Sequence, residues 1–460
     1  MGRGHWTPAL FFAGTISFVR LLAAFCALSL IVPAAPIAQA AKITWQDLAP
    51  LHARLAAEGI TSASFPSFVD HTAADNIRRV REGDLDHLIF YALQSTHFTS
   101  RAPIEPALSA KEMIADANQI PSAARARLDD LLKALRSTST DPRLVYFRAL
   151  VNSAFPSERE REAGLLREFT RVMRFVYDKE FVAQPAGPDA VANLYRTRGL
   201  STDSAVEAGF VVYNGLGILK SLDPARRIRR VLIIGPGLDL APRTGLLENG
   251  PPESYQPWAV IDALLALGLS RLGDLTVVGA DINPRVVDHL ARARTSPPLL
   301  TLVTGIAESA TVHLTEEYRV YFNQLGTGLA DGFLTPSPSV SAHLFKTLRV
   351  PAAVAKSLSA EELDVVTSRL SGAPFDLIIA TNILPYFDDT QLMLAISNVA
   401  AMLAPGGVFM HNEPRPVLGD ITDAVGLHFE QLRRVTIASV TGGSGPLTDV
   451  VMLHRKTIAK

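Results

Sequence analysis

The chain has 460 residues, 48% of them hydrophobic, which is enough for two or three domains with large cores. A formal net charge of −1 excludes a nucleic-acid binder that works through a broad basic surface. The single cysteine, Cys26, lies within the first forty residues. A chain cut after Ala40 therefore has no thiol for a disulfide, a cysteine-ligated zinc site or a cysteine nucleophile.

Residues 1–40 carry Arg3 and Arg20 but no acid, an apolar run from Leu21 to Val32, and the small-residue triplet Ala38-Gln39-Ala40. This is the pattern of an export signal, which would place the mature protein in the periplasm or outside the cell. Two other readings stay open. Pro8 to Val19 is also apolar, so the segment could be an uncleaved membrane anchor; a misassigned start codon would leave the protein cytoplasmic.

Residues 41–225 read as a helical domain. Leu128, Leu131, Leu132 and Leu135 share one helical face, and Leu165, Phe169, Val172 and Val176 share another. Prolines at 103, 106, 121, 142 and 156 punctuate the segment. Near its end, Ser204 and Glu207 have the spacing of a capping box. Arg196, Arg198 and Asp203 in the same stretch are candidates for a polar lid over a ligand.

Residues 226–460 alternate strand and helix. Val231 to Ile234 is a short apolar run, the mark of a strand buried on both faces. It stops at Gly235-Pro236-Gly237, where missing Cβ atoms permit a sharp turn and the close approach of a ligand. A loop with Asn249-Gly250-Pro251-Pro252 leads to a helix at Pro257–Leu267, then a strand from Leu275 to Ala280 that ends on Asp281. A helix around Arg285–Ala293 and a possible strand at Leu299–Val303 follow. Residues 304–345 break the alternation and read as an insertion, with exposed turns at Leu334 to Val340. The chain closes with the strand Phe375–Ala380, a helix at Gln391–Leu403 stopped by Pro405-Gly406-Gly407, a strand at Val408–His411, and a hairpin of Leu432–Val440 with Thr448–His454.

A glycine turn after one buried strand and an acid at the tip of the next suit a nucleotide-shaped ligand, because a carboxylate there can accept from both ribose hydroxyls. A dinucleotide site also wants a third glycine, but that position is Leu240. Asp281 follows Gly237 by 44 residues, about twice the ~20 of the dinucleotide fingerprint.

The closing half is more specific. The FDLIIATN strand, the helix ending in L-x-PGG, the next strand and the final hairpin resemble class I S-adenosylmethionine-dependent methyltransferases, over about Arg229 to Lys460. Thr381-Asn382-Ile383-Leu384-Pro385-Tyr386-Phe387-Asp388 is similar to the RNVLIYFD signature of the chemotaxis-receptor branch. Gln256 to Val260 and Ala280-Asp281-Ile282 are faintly similar to that branch's EPYSIA and TDI stretches. The resemblance implies a Rossmann-like, doubly wound, mostly parallel sheet with a C-terminal antiparallel hairpin, preceded by the all-α domain. It implies S-adenosylmethionine as cofactor, with Gly235 and Gly237 beside its methionine portion, Asp281 on the ribose, Ile282 on the adenine, and Asn382 and Ile383 at the methyl-donor end. Many relatives have an acid where this chain has Ile233, and their third glycine is Asp239 here. Asp239 is a candidate to take the missing acid's place.

Methyl transfer asks the protein to align an acceptor lone pair with the S–CH3 bond, to exclude water and sometimes to take a proton. Tyr386, His411 and Glu413 are the candidates nearest the methyl group, although Tyr386 could simply anchor its loop and His411 could be a core histidine. The expected partner is a small-molecule or protein methyl acceptor, with no nucleic acid. No metal-binding spacing is present, so no metal is expected. The competing function is an exported nucleoside-binding protein that keeps the fold without transfer activity.

Overall fold

Twelve strands organise the computed structural model, which describes residues 40–240, 251–329, 342–442 and 445–458. In chain order they are β1 (Ala40–Lys42), β2 (Arg230–Ile234), β3 (Thr276–Asp281), β4 (Leu299–Val303), β5 (Val312–Leu314), β6 (Phe345–Arg349), β7 (Leu358–Glu362), β8 (Ser368–Leu370), β9 (Phe375–Ala380), β10 (Leu403–His411), β11 (Leu427–Val440) and β12 (Leu447–Lys456). The expected export segment before Ala40, Asn249-Gly250, the turns at 334–340 and Gly443-Ser444 of the hairpin loop lie outside the described residues.

Eight strands form one sheet in the order β5-β11-β12-β10-β9-β2-β3-β7. The five from β10 to β7 are parallel, while β12 is antiparallel to both neighbours, and β5 adds to the edge at Ala438–Val440. From β2 the chain moves to β3 on one side and later to β9 on the other. The order thus reverses at β2, where an open α/β sheet leaves a crevice beyond the strands' carboxyl ends.

β2 shows why its apolar run is continuous. Val231 and Ile233 face one core together with Val277, Leu377, Ile379 and Met410. Leu232 and Ile234 face the other, with Val278, Ala280, Ile378 and Phe409. A parallel strand covered on both sides has no solvent face to make polar.

Several expectations change. β4 does form at Leu299–Val303, but it pairs with β6 in a separate two-stranded ribbon that encloses much of the expected insertion. The helix ends at Met402, and Pro405-Gly406-Gly407 lies within β10 at the register irregularity between Leu403 and Val408. The capping box does not form. Val206–Leu222 starts after Ala205 with no side-chain cap, Ser204 Oγ accepts from the Tyr255 amide at 3.2 Å, and Glu207 accepts from the Gly305 amide at 2.7 Å.

The N-terminal half is not purely helical either, because β1 pairs antiparallel with β8. Nor does its packing stop near residue 225. The described residues from Ala40 onward fall in one compact unit. Ile43 to Val69 packs on one face of the large sheet, and Leu85 to Val176 joins the core of the other. The 30-residue helix Phe65–Gln94, about 45 Å long, links the two faces and brings Asn76 and Val80 to the crevice. Its buried polar residues hold it in place. Arg79 donates through Nε to the Arg198 carbonyl (2.9 Å) and through Nη2 to the carbonyls of Tyr195 (3.2 Å) and Tyr386 (3.0 Å). The Leu200 amide returns a bond to the Arg79 carbonyl at 2.8 Å.

The segment 199–203 therefore forms a strap between helix and sheet. At Gly83 the two backbones touch, since an added Cβ would lie 1.8 Å from the Leu200 carbonyl oxygen. Gly83→Ala should destabilise the protein by about 3 kcal/mol, the upper range for overpacking. Gly217→Ala, in a helix with nothing within 4 Å of the new methyl, should stabilise by about 0.5–1 kcal/mol through helix propensity. Urea melts of both variants check the contrast.

Candidate active site

The crevice at the strand reversal holds two adjoining cavities. The inner one has an empty volume of about 620 Å3, its mouth included. Its floor is Ile234, Gly235, Gly237 and Asp281-Ile282, its far wall Leu363-Asp364-Val365, and its roof Asn76, Val80 and Leu200 to Thr202. The outer groove runs past Tyr195, Asp203, Gln256, Thr381, Asn382 and Glu413. Ser201, Gly235, Ile383 and Tyr386 line both and so mark the neck between them.

Gly235 and Gly237 both have left-handed backbones, with φ of +66° and +72°. The expected reason for these glycines, room for a ligand, is only part of the account. A Cβ at Gly235 would sit 2.5 Å from Ile383 Cγ2, and one at Gly237 would sit 2.5 Å from the Thr202 carbonyl oxygen. The bare positions let the strap and the residue after Asn382 close on the turn. Thr202 is fixed in turn, its carbonyl accepting from the Leu238 amide at 2.6 Å and its own amide donating to His87 Nε2 at 3.2 Å.

Asp281 faces the inner cavity, as its place at the tip of β3 implies. Its side chain is almost wholly buried, at 6% exposure. Oδ1 accepts from the Asn283 amide at 2.9 Å and Oδ2 from the more distant Gly237 amide at 3.4 Å, and the Ile282 amide also bears on the carboxylate. Burial pushes its pKa up to about 6, against the lowering pull of those amides. Beyond it, the fully buried Asp84 accepts from Asn283 Nδ2 (2.9 Å), Arg285 (2.8 Å) and Tyr146 (2.8 Å).

Ile282 lines the inner cavity, and Asn382 lines the groove with a left-handed φ of +62°. Tyr386 stands at the neck, hydrogen-bonded to Ser201 and edge-on to Tyr195 at 5.4 Å. Burial pushes its phenol up to about 12, so it keeps its proton at neutral pH. Glu413 lines the groove with Oε1 held by the Arg415 amide (3.1 Å) and Nε (3.2 Å).

Other candidates stand elsewhere. Asp239 is 1% exposed, lines neither cavity, and pairs through its backbone with Glu253, so it does not supply the acid missing at Ile233. His411 is buried in a stack with Phe409 and His454, and burial holds its pKa well below the ordinary value. Its position is that of a neutral core histidine. Of the expected lid, only Asp203 lines the groove. Arg198 points back into the helices, bonded to Asp86 at 2.9 Å and stacked on Phe175 at 4.3 Å.

Asn76, Thr202 and Asp364 are site residues that the sequence did not single out. Asp364 accepts from Asn76 Nδ2 at 3.1 Å and from Thr367 Oγ1 at 2.8 Å. An acid two residues past the short β7 was the one available signal.

The turn also differs from a phosphate-binding one. A dinucleotide's pyrophosphate rests on a helix amino terminus that follows the glycines at once. Here residues 238–240 leave the turn in an extended path, Asp239 bridges to Glu253, and the next described helix begins at Gln256. Among the described residues no cluster of three metal-binding side chains occurs.

No family model matches the chain, and no curated protein does. Its fold is similar to solved structures of S-adenosylmethionine-dependent methyltransferases. A TehB-like methyltransferase from Corynebacterium glutamicum is 13% identical over 54% of this chain and 88% of its own, with a TM-score of 0.25. The N-methyltransferase NodS from Bradyrhizobium japonicum is 14% identical over 54% and 97%, at 0.25. Magnesium protoporphyrin IX methyltransferase from Synechocystis, solved with its cofactor, is 10% identical over 70% and 100%, at 0.28. Likenesses of this size assign no residue, ligand or substrate to this chain.

The Asp281 carboxyl keeps its proton to a higher pH in the folded chain than in the unfolded one. The folded state therefore loses stability as pH rises from about 4 to about 6, by up to roughly 3 kcal/mol. Asp281→Asn should accordingly be more stable than the parent at pH 8, with the difference shrinking towards pH 4. Urea midpoints across that range test the sign.

Proposed function

We propose that the inner cavity binds S-adenosylmethionine and that the protein transfers its methyl group to an acceptor lying in the outer groove. The observation that carries this reading is the buried carboxylate of Asp281 facing a glycine turn whose next described residues, 238–240, are not helical. A ribose can bring two hydroxyl donors to that carboxylate, and a nucleoside without phosphates needs no helix end directly after the glycines.

In this reading Asp281 accepts from the ribose hydroxyls, while Ile282 with Leu363 and Val365 encloses the adenine. Asp364 is at hand for a polar edge of the base. Gly235 presents main chain to the methionine portion, and Asn382 and Ile383 border the methyl-donor end at the neck. When bound, the sulfonium supplies an electrophilic methyl group that passes to the acceptor lone pair as its S–C bond breaks. Alignment, exclusion of water and any proton removal fall to the chain. The protonated Tyr386 phenol can orient an acceptor but not deprotonate it. Asp189, Asp203 and Glu413 are carboxylates along the groove that could take a proton, if an acceptor atom comes within hydrogen-bond reach. The acceptor in this reading is a small molecule or a protein side chain.

Export through residues 1–40 is a separate part of the proposal. Amino-terminal sequencing of protein from its native host should begin at Ala41, and a soluble chain beginning at Met1 would remove it.

The cofactor reading predicts a pH signature. Ribose hydroxyls favour the ionised form of Asp281, so affinity should be highest above pH 6 and fall on acidification, by up to about tenfold per pH unit. Titration calorimetry with S-adenosylhomocysteine at pH 5 and pH 8 measures this, with NAD as the ligand expected not to bind. Binding that ignores pH, or NAD binding in its place, overturns the assignment.

A further inference from the structure

We infer that Asn412, backed by Asp449, is a positioning residue that holds the turn at Asn382 in its left-handed form and so sets the neck between the two cavities. This rests on the cofactor reading above.

Asn382 directly follows Thr381 at the end of β9, and its φ of +62° lies in the left-handed region that few residues besides glycine, asparagine and aspartate enter. Such a turn persists only when its surroundings determine it. Asn412, directly after β10, does so by a reciprocal pair of bonds. The Asn382 amide donates to Asn412 Oδ1 at 2.9 Å, and Asn412 Nδ2 donates back to Asn382 Oδ1 at 2.7 Å.

The orientation of the Asn412 amide is itself determined. Its Nδ2 lies 3.3 Å from both carboxylate oxygens of Asp449, on β12. Turned over, Asn412 would place its carbonyl against a carboxylate and its NH2 against a main-chain N–H. Asp449 is fastened by the Val450 amide, 2.7 Å from its Oδ1. A chain of contacts thus runs from the antiparallel β12 across β10 to the end of β9.

Ile383 is the next residue, and its Cγ2 occupies the space that a Cβ on Gly235 would fill. A change of backbone at Asn382 therefore moves the side chain that closes on the glycine turn. Neither Asn412 nor Asp449 lines either cavity. Both reach the ligand only through Asn382 and Ile383, which is why the role is one of positioning.

The test uses the full chain and S-adenosylhomocysteine. Asn412→Ala should weaken binding about tenfold, the scale of one lost hydrogen bond to a ligand-setting group, and should speed hydrogen exchange at the Asn382 amide. Asn382→Gly/Asn412→Ala should regain part of the lost affinity, since glycine enters the left-handed region without help. A merely structural role would instead lower the melting temperature of Asn412→Ala, leave its affinity unchanged and show no recovery in the double variant; that result overturns the inference. If the unaltered protein fails to bind, the cofactor reading falls and this inference with it. If it binds and Asn412→Ala binds equally well, the positioning role alone falls.

Discussion

The structure depends on how the reversal of strand order at β2 is closed. Parallel strands leave their last carbonyls and amides pointing into the crevice, and buried main-chain groups need partners. This protein meets the need from outside the sheet. Leu200 to Thr202 lie over the glycine turn and exchange bonds with it, and the Phe65–Gln94 helix lies over the strap. The cavity is what this covering leaves open, and among the acceptors that line it are the Asp281 carboxylate and the unpartnered Asn76 Oδ1.

The covering is held by polar groups rather than by shape alone. Arg79 satisfies three carbonyls from two stretches of chain, and His87 meets the strap at Thr202. Asp86 gathers Arg171 and Arg198, and Asp84 gathers Asn283, Arg285 and Tyr146. Removing one partner of such a buried network is more damaging than never having built it. The same groups place charge near Asp281, because Asp84 adds to the rise that burial gives its pKa.

What was legible in the sequence follows from burial. β2, β3 and β9 are covered on both faces and announce themselves as apolar runs. The antiparallel hairpin shows by its turn residues. β7 was missed because it is an edge strand, and Leu358-Ser359-Ala360-Glu361-Glu362 carries the mixed polarity of partial exposure. Asp281 could be read because strand tips face the crevice, and Gly235 and Gly237 because a positive φ needs them. Asp239, His411 and Arg198 could not be placed, since a buried polar residue and a ligand-facing one look alike until the neighbouring element is known. The strap's hydroxyls and Asn76 belong to a contact between residues far apart in sequence, which no local pattern encodes. The Ser204–Glu207 spacing misled for the same reason, as both side chains serve distant backbone amides.

The long helix that links both faces of the sheet bears on how the molecule comes apart. With one core shared between the amino-terminal helices and the strands, neither can melt while the other stays intact, so denaturation should be a single cooperative event. A fragment beginning at residue 226 would carry bare apolar sheet faces into water and would aggregate rather than fold, even though every strand of the large sheet lies within it.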